Sequence, residues 1–328
     1  MSTHIETWRV VSTGEGLALR RRGRVDRAMP GSSLFVLGAT EPTEENTGAG
    51  VVRAAPTPAN AIMGNITVGD GQVIVDRIIY GRVTITGSGR IENCIVRGGT
   101  TEPTTHTNLV QTSTATPSAL GVPNISFTTI QPQRPSAWIS GVGNKNYHAY
   151  RVKILDCVDG FGAFSTAADG LINVKVRGCF VANLAHFAPD YANNNRTRTH
   201  NDCIQFQGNL DPAENVLLEG NSFNARHNPS IGTLPTVYAE LACIMVSLNT
   251  QSKISYTSRR NWYRGGAYTV NAGQTNAGHI VHDGDRFERP RTATPGPAAS
   301  LVLDPGTSRM LRDLTYIDNG AEVLVTNG

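Results

Sequence analysis

The stretch Asn173-Val174-Lys175-Val176-Arg177-Gly178-Cys179-Phe180 contains the pattern that decides the fold. Apolar residues alternate with polar ones, which is typical of a β-strand, and a glycine then bends the chain before the next apolar residue. The phrase returns as Asn215-Val216-Leu217-Leu218-Glu219-Gly220-Asn221-Ser222-Phe223. More substituted copies occur at residues 90–95, 153–158, 253–263, 279–287 and 310–317. The chain therefore contains an internal repeat, and each copy predicts a strand with a corner.

A second apolar phrase follows these copies and predicts a further strand that belongs to a different sheet. It is found at residues 161–164, 203–208, 243–246, 267–270, 301–303 and 323–325. One such unit cannot bury its apolar row alone, but stacked units can, because each strand then pairs with the strands above and below. We therefore predict an all-β protein, a right-handed parallel β-helix.

The spacing of the copies predicts a coil of about 25 residues with insertions in some coils. The insertions fall between the first and second phrases, at residues 183–201 and 224–241, and we expect residues 99–124 to be equivalent. Because these segments leave equivalent corners, they should lie side by side along one flank. Loops on a rigid scaffold often carry function, so this flank is the predicted site.

The first 60 residues lack the repeat. Short strands are predicted at residues 8–11, 17–19 and 34–37, and residues 41–60 have the composition of a linker. We interpret residues 1–60 as an attachment or cap segment with its linker and residues 61–328 as the β-helix. A solenoid needs a cover on its terminal coil against edge-to-edge association.

Composition excludes several classes of protein. Of 328 residues 39 % are hydrophobic and 17 % are charged, and the net charge of +3 is too small to indicate a nucleic-acid partner. The chain starts without the basic and apolar regions of a signal peptide and has no apolar run of about 18 residues, so we expect cytoplasmic synthesis and no membrane insertion. The five cysteines form no C-x-x-C pair and are predicted to be structural thiols.

The longest insertion concentrates chemistry in an otherwise charge-poor chain. Its candidate residues are His186, Asp190, Tyr191, Arg196, Arg198, His200 and Asp202. Gln205 follows on the next strand, and the neighbouring insertion adds His227, Tyr238 and Glu240. Such side chains provide acids, bases, cation clamps and aromatic platforms for a carbohydrate.

Several roles are open for these residues. His200 and Asp202, with Arg198, could form an acid–base site, or they could only fasten the loop. Glycoside hydrolysis would pair Asp190 with Asp202 or Glu240, whereas β-elimination would use Arg196 or Arg198 with His200. No metal-ligand spacing or cofactor motif is present, so we expect neither a metal nor a cofactor.

An aromatic residue is predicted to recur at one position of the repeat. Phe180, Phe223, Tyr263 and Phe287 are expected to stack in the core as a ladder.

Four motifs resemble a family of right-handed β-helix proteins that occur as secreted proteins of actinobacteria and as minor tail proteins of their phages. They are Glu45-Asn46-Thr47-Gly48, the Asn-Val-x-Val strands, His200-x-Asp202-x-Ile204-Gln205 followed by Gly208, and Arg264-Gly265-Gly266-Ala267-Tyr268-Thr269. The similarity extends over about residues 45–290. Cys203 departs from the family, whose members more often have glycine after the aspartate.

The resemblance, with the missing signal peptide, implies a phage tail spike or fibre, assembled in the host cytoplasm and located in the virion; secretion is the alternative. It implies a homotrimer whose N-terminal segment docks on other tail proteins and whose flank binds host cell-surface polysaccharide. The alternative function is that of a polysaccharide lyase or glycoside hydrolase, since β-helices host both enzymes and adhesins.

Overall fold

Three long parallel sheets form the body of this protein. The computed structural model describes residues 8–13, 16–21, 39–112, 121–165, 173–192, 198–208, 215–232, 241–247, 254–266, 268–272, 278–288, 301–303, 308–323 and 326–327. The chain visits the three sheets in a fixed cyclic order and pairs each strand with the equivalent strand one coil away. The predicted right-handed parallel β-helix is confirmed.

Sheet A has ten strands in the described chain: Ala61–Met63, Ile78–Tyr80, Ile95–Val96, Thr129–Ile130, Lys153–Leu155, Phe180–Ala182, Ser222–Asn224, Trp262–Arg264, Arg286–Phe287 and Thr315–Tyr316. Sheet B likewise has ten: Ile66–Val68, Val83–Ile85, Thr107–Thr112, Ile139–Gly143, Phe161–Ser165, Asn201–Gly208, Leu241–Ser247, Tyr268–Ala272, Leu301–Leu303 and Thr326–Asn327. Sheet C has nine over the same residues: Val73–Val75, Arg90–Glu92, Asn124–Ser126, Asn146–Tyr150, Asn173–Arg177, Val216–Glu219, Tyr256–Arg259, His279–Asp283 and Ser308–Arg312.

Smaller elements accompany the solenoid. Trp8–Thr13 and Gly16–Arg21 form an antiparallel hairpin that includes two of the strands predicted near the N terminus, whereas the strand predicted at 34–37 lies outside the described residues. A 3₁₀ turn, Pro58–Asn60, precedes the first strand of sheet A. Leu184–His186 pairs with His227–Gly232.

The coil is shorter than its sequence spacing predicted. Ala61, Ile78 and Ile95 occupy equivalent positions in sheet A, so the first coils need only 17 residues. Later coils are longer because loops between the sheets are added to this minimum. The spacing of the repeated copies includes these loops, so it overestimated the length of the basic coil.

A single residue in the left-handed conformation turns the chain at the corner from sheet C to sheet A. Its φ lies between 45° and 67° at Asp76, Asn93, Phe127, Arg151, Gly178, Gly220, Arg260, Gly284 and Asp313. Glycine adopts this conformation without strain, which explains the glycine in the repeated phrase. The other residues are held there by hydrogen bonds to neighbouring coils, as when the Arg151 N–H donates to the Arg177 carbonyl at 3.0 Å.

The residue after this corner builds a polar ladder inside the later coils. The N–H of Cys179 donates to Asn221 Oδ1 at 2.9 Å, that of Asn221 to Asn261 Oδ1 at 2.8 Å, and that of Asn261 to Asp285 Oδ1 at 2.7 Å. All four side chains are fully buried. The five cysteines are buried and free of disulfides, in agreement with the prediction of structural thiols.

The predicted aromatic ladder is confirmed for Phe223, Tyr263 and Phe287 and is wrong for Phe180. Phe223, Tyr263 and Phe287 are paired on successive strands and stack in the core, but their partner in the preceding coil is Val181. Phe180 pairs with Ser222 instead. Phe180 is the second residue after its corner residue, Gly178, whereas Phe223 is the third residue after Gly220. The prediction aligned these two positions and was therefore wrong for Phe180.

Residues 39–55, which we call the strap, run back along the solenoid. Glu41 is paired with Arg264, and its Oε1 accepts the hydroxyl of Ser222 at 2.8 Å. Farther along, the Gly48 N–H donates to the Arg151 carbonyl at 2.9 Å and the Gly50 N–H to Asn93 Oδ1 at 2.8 Å. The segment interpreted as a linker is therefore bonded to several coils.

Asn261→Ala should destabilise the solenoid by about 3 kcal/mol. Asn261 Nδ2 donates to the Leu218 carbonyl at 3.1 Å and its Oδ1 accepts the buried Asn221 N–H, so the substitution leaves both backbone groups unpaired. Urea denaturation measures the loss. Thr104→Ala, at an exposed position, is the control and should change stability little; equal effects would contradict the ladder's role.

Gly48→Ala should release the strap. Its φ is +81°, and a Cβ there would lie 2.4 Å from Thr129 Oγ1 and 2.9 Å from Lys153 Cβ. We expect limited proteolysis within residues 39–55 to accelerate several-fold. Gly64→Ala is the matched control, because Gly64 has a φ of +90° and an added Cβ there would meet nothing within 4 Å. Equal cleavage of both variants would show that the strap is not held at Gly48.

Candidate functional site

The predicted flank exists and lies at the corner from sheet A to sheet B. Residues 183–200 connect Phe180–Ala182 to Asn201–Gly208, and residues 225–240 make the same connection one coil later. The pairing of Leu184–His186 with His227–Gly232 places these insertions side by side, as predicted. The third predicted insertion was partly wrong, because strand Thr107–Thr112 of sheet B interrupts it and only residues 97–106 belong to this corner.

The predicted site residues differ in their accessibility. His200 is exposed at the entrance of strand Asn201–Gly208, whereas Asp202, on that strand, is 1 % exposed. Gln205 and Arg198 are half-buried. In the loop, His186 and Asp190 are buried and Tyr191 is 38 % exposed. Arg196, Tyr238 and Glu240 lie outside the described residues, and for His227 only the backbone is described.

Asp159 faces Asp202 and was not among the predicted site residues. Phe161 and Ile204 are paired on neighbouring strands of sheet B. Asp159 lies two residues before Phe161, and Asp202 lies two residues before Ile204, so the two aspartates occupy equivalent positions one coil apart. The N–H of Asp202 donates to Asp159 Oδ1 at 3.0 Å. The signal was present beside the second repeated phrase, where an aspartate stands two residues before Phe161 in one coil and two residues before Ile204 in the next.

Backbone and hydroxyl groups of neighbouring coils hold this aspartate pair. The Ser140 hydroxyl donates to Asp159 Oδ2 at 3.4 Å, and the backbone N–H of Ala242 hydrogen-bonds the Asp202 carboxylate. Asp202 Oδ1 is buried and has no hydrogen-bond partner. Each aspartate thus accepts an N–H from the next coil, and one carboxylate oxygen is left without a donor.

Burial disfavours ionisation of both aspartates. Burial raises the pKa of Asp159 to about 7, and the charge of Asp190 acts in the same direction. The pKa of Asp202 is raised well above its usual range, mainly by burial and then by the charge of Asp159. Both carboxyls are therefore protonated to a greater extent near neutral pH than ordinary aspartates are.

Asn201 fastens the insertion to the coil. Asn201 Nδ2 donates to the carbonyls of Val158 at 2.9 Å and Ala185 at 2.6 Å, and its Oδ1 accepts the Thr199 hydroxyl at 2.9 Å. Asn201 was not among the predicted site residues, and its role is of the kind that was considered for Asp202 and His200. The acid–base pairing of His200 with Asp202 stays a prediction.

Aromatic side chains cluster around Tyr191, the residue that follows Asp190 in the insertion. Tyr191 donates its hydroxyl to Glu102 Oε1 at 2.8 Å and accepts the Ala137 N–H at 3.0 Å. Its ring packs edge-on against Trp138, with centroids 6.5 Å apart, and against Phe187, at 5.8 Å. Half-exposed aromatic rings next to polar groups are surfaces on which sugar rings lie.

Within the residues that the structure describes, no three His, Cys, Asp or Glu side chains lie close enough together to hold a metal ion. No helix in that part of the chain is long and apolar enough to cross a membrane. No protein-family model, curated protein or solved structure matches this chain at a level that indicates homology. The geometry of the flank and the sequence motifs therefore carry the functional assignment.

Asp159→Asn should flatten the pH dependence of stability. The raised pKa means that the protonated carboxyl stabilises the native state fully below about pH 4, and that this contribution is lost as the pH rises toward 7. Urea denaturation should therefore show a decline in wild-type stability between pH 4 and 7 that is smaller in the variant.

Asp283→Asn is the control for this measurement. The hydrogen bond from Arg312 lowers the pKa of Asp283, so this residue does not add to a decline in stability as the pH rises. An unchanged slope in Asp159→Asn would show that Asp159 titrates normally.

Proposed function

We propose that this protein binds a polysaccharide along the flank of the β-helix and hydrolyses it at Asp159. The observation that carries the proposal is the Asp159–Asp202 pair, in which one buried carboxylate oxygen has no hydrogen-bond partner. Burying carboxyls disfavours their charged form, and strongly shifted pKa values concentrate at functional sites.

Asp159 is the proposed catalytic acid because it is the more accessible member of the pair. It is half-buried, whereas Asp202 is 1 % exposed. A pKa of about 7 keeps a carboxyl partly protonated at neutral pH, as proton donation to a glycosidic oxygen requires. Asp202 is a positioning residue, whose backbone N–H donates to Asp159 Oδ1.

Glycoside hydrolysis also requires a second carboxylate, and we assign this role to Asp190, whose charge acts on Asp159. Asp159 protonates the glycosidic oxygen as its bond to the anomeric carbon breaks. Asp190 takes a proton from the water that attacks this carbon. Tyr191 and Trp138 would support the neighbouring sugar ring.

We propose the phage tail as the setting of this activity. The proposal is supported by the resemblance of the sequence motifs to those of minor tail proteins and by the hairpin Trp8–Thr13 and Gly16–Arg21, which precedes the strap in the chain and suits attachment to other tail proteins. The flank would then bind the host's surface polysaccharide, and three copies would assemble in the virion.

A non-catalytic adhesin is the second candidate, and one observation favours it. Asp202 is buried and the insertion is tied down by Asn201, so the loop is firmly bonded to the coil beneath Asp159. A fixed loop suits binding of a glycan without cleavage.

Asp159→Asn should abolish cleavage and preserve binding. The amide retains the size of the carboxyl but cannot donate a proton as an acid, so we expect at least a hundredfold loss of cleavage rate. The assay incubates the protein with surface polysaccharides of actinobacterial hosts and follows reducing ends, product mass and binding.

Asp202→Asn separates positioning from catalysis. It should retain part of the cleavage rate, because the backbone N–H that Asp159 Oδ1 accepts stays in place while the Asp202 carboxyl is replaced. Asp283→Asn, away from the flank, should match the wild type. Binding without cleavage by the wild type would establish the adhesin, and unsaturated products would establish a lyase.

A further inference from the structure

Two glycines occupy equivalent positions on the outer face of sheet B. Gly143 and Gly162 belong to adjacent strands, and the residues before them, Val142 and Phe161, are paired. Gly162 stands between the core residues Phe161 and Ala163, so both glycines face outward. Glycine in a strand has no side chain to pack, and it often marks a place where another group or a ligand comes close to the backbone.

Planar side chains lie in the space that the two glycines leave open. A Cβ at Gly162 would lie 2.6 Å from Phe164 Cζ, so the phenyl ring folds back over this glycine. A Cβ at Gly143 would lie 2.5 Å from Asn108 Oδ1, so the Asn108 amide covers the other glycine. Phe164 and Asn108 are both half-buried, and each keeps part of its surface open to solvent. We call Asn108, Gly143, Gly162 and Phe164 the sheet B platform.

The platform is connected to the proposed catalytic acid. Asn108 pairs in register with Ser140, whose hydroxyl donates to Asp159 Oδ2 at 3.4 Å. Asp159 stands three residues before Gly162, which is about 10 Å along the strand. A sugar chain with its glycosidic oxygen at Asp159 can therefore extend onto the platform.

The chemistry of the platform matches a pyranose unit. The phenyl ring of Phe164 provides a flat apolar surface for the C–H groups of a sugar ring. The Asn108 amide both donates and accepts hydrogen bonds, as sugar hydroxyls do. Gln111 pairs with Gly143 and Gln205 pairs with Gly162, so two further amides flank the glycines. An apolar surface with a few polar groups around it is typical of a small-ligand site.

We propose that the sheet B platform is a subsite for a sugar unit beside the one that reacts. The C–H face of this unit lies on Phe164, and its hydroxyls bond to the Asn108 amide. The inference rests on the proposed function and adds to it a binding surface other than the aromatic cluster around Tyr191. Contacts made by this unit hold the reacting unit in position at Asp159.

Phe164→Leu tests the aromatic ring. Leucine keeps an apolar side chain beside Gly162 but has no flat face for a sugar, so the surface polysaccharide should bind about tenfold more weakly. If the wild type cleaves the polymer, KM should rise by the same factor while kcat is unchanged. Phe164→Tyr keeps the ring and should bind like the wild type. Urea denaturation of both variants separates a lost sugar contact from lost packing.

Gly162→Ala tests the same contact without replacing Phe164. The added methyl group takes the position of the phenyl ring and displaces it, so affinity should fall by about as much as in Phe164→Leu. Asp283→Asn, on sheet C, is the control and should bind like the wild type. Circular dichroism confirms that the variants are folded.

The outcomes separate this inference from the proposed function. Unchanged affinity in Phe164→Leu and Gly162→Ala overturns the inference and leaves polysaccharide binding by the wild type intact. Absence of binding by the wild type overturns the proposed function and the inference with it. A smaller sedimenting mass of Phe164→Leu would assign the platform to contacts between copies of this chain and would also overturn the inference.

Discussion

The register between successive coils is the constraint on which the rest of the structure depends. Each strand must return to the position where its backbone groups meet those of the coil below, and a single left-handed residue at the corner from sheet C to sheet A achieves this. Phe127 and Arg151 adopt that conformation although it is unfavourable for their side chains. The pairing of three sheets at once outweighs the local strain.

The same register creates the chemistry of the flank. Residues at one position of successive coils are about 4.8 Å apart, so any side chain that recurs there meets its own copy. Asparagine recurring after the corner forms a ladder that satisfies backbone groups, as Asn221 and Asn261 do. Aspartate recurring at the start of sheet B places Asp159 next to Asp202, where the charge of Asp159 adds to burial in raising the pKa of Asp202. One geometric rule thus stabilises one face of the solenoid and shifts the pKa of a carboxyl on another.

The fold could be predicted from sequence because strands with corners recur throughout the chain, and the placement of the insertions beside each other followed from that repeat. The partner of Asp202 could not be predicted as readily, since Asp159 is 43 residues away and belongs to a coil without a long insertion. Nor did composition reveal that residues 39–55 are bonded to the solenoid, because their contacts are made by backbone groups and by single side chains such as Glu41. Local patterns predict strands, whereas contacts between distant segments depend on the register that the strands adopt together.

The strap also determines how the rod would carry a mechanical load. Because Glu41 is bonded beside Arg264 and Gly50 beside Asn93, tension applied to the chain ahead of residue 39 enters the rod at a late coil and runs along its axis. The bonds of the strap are then loaded together in shear, not one after another as in peeling. The first coil is spared from the pull, and a rod attached in this way resists extraction better than one held by its first strand alone.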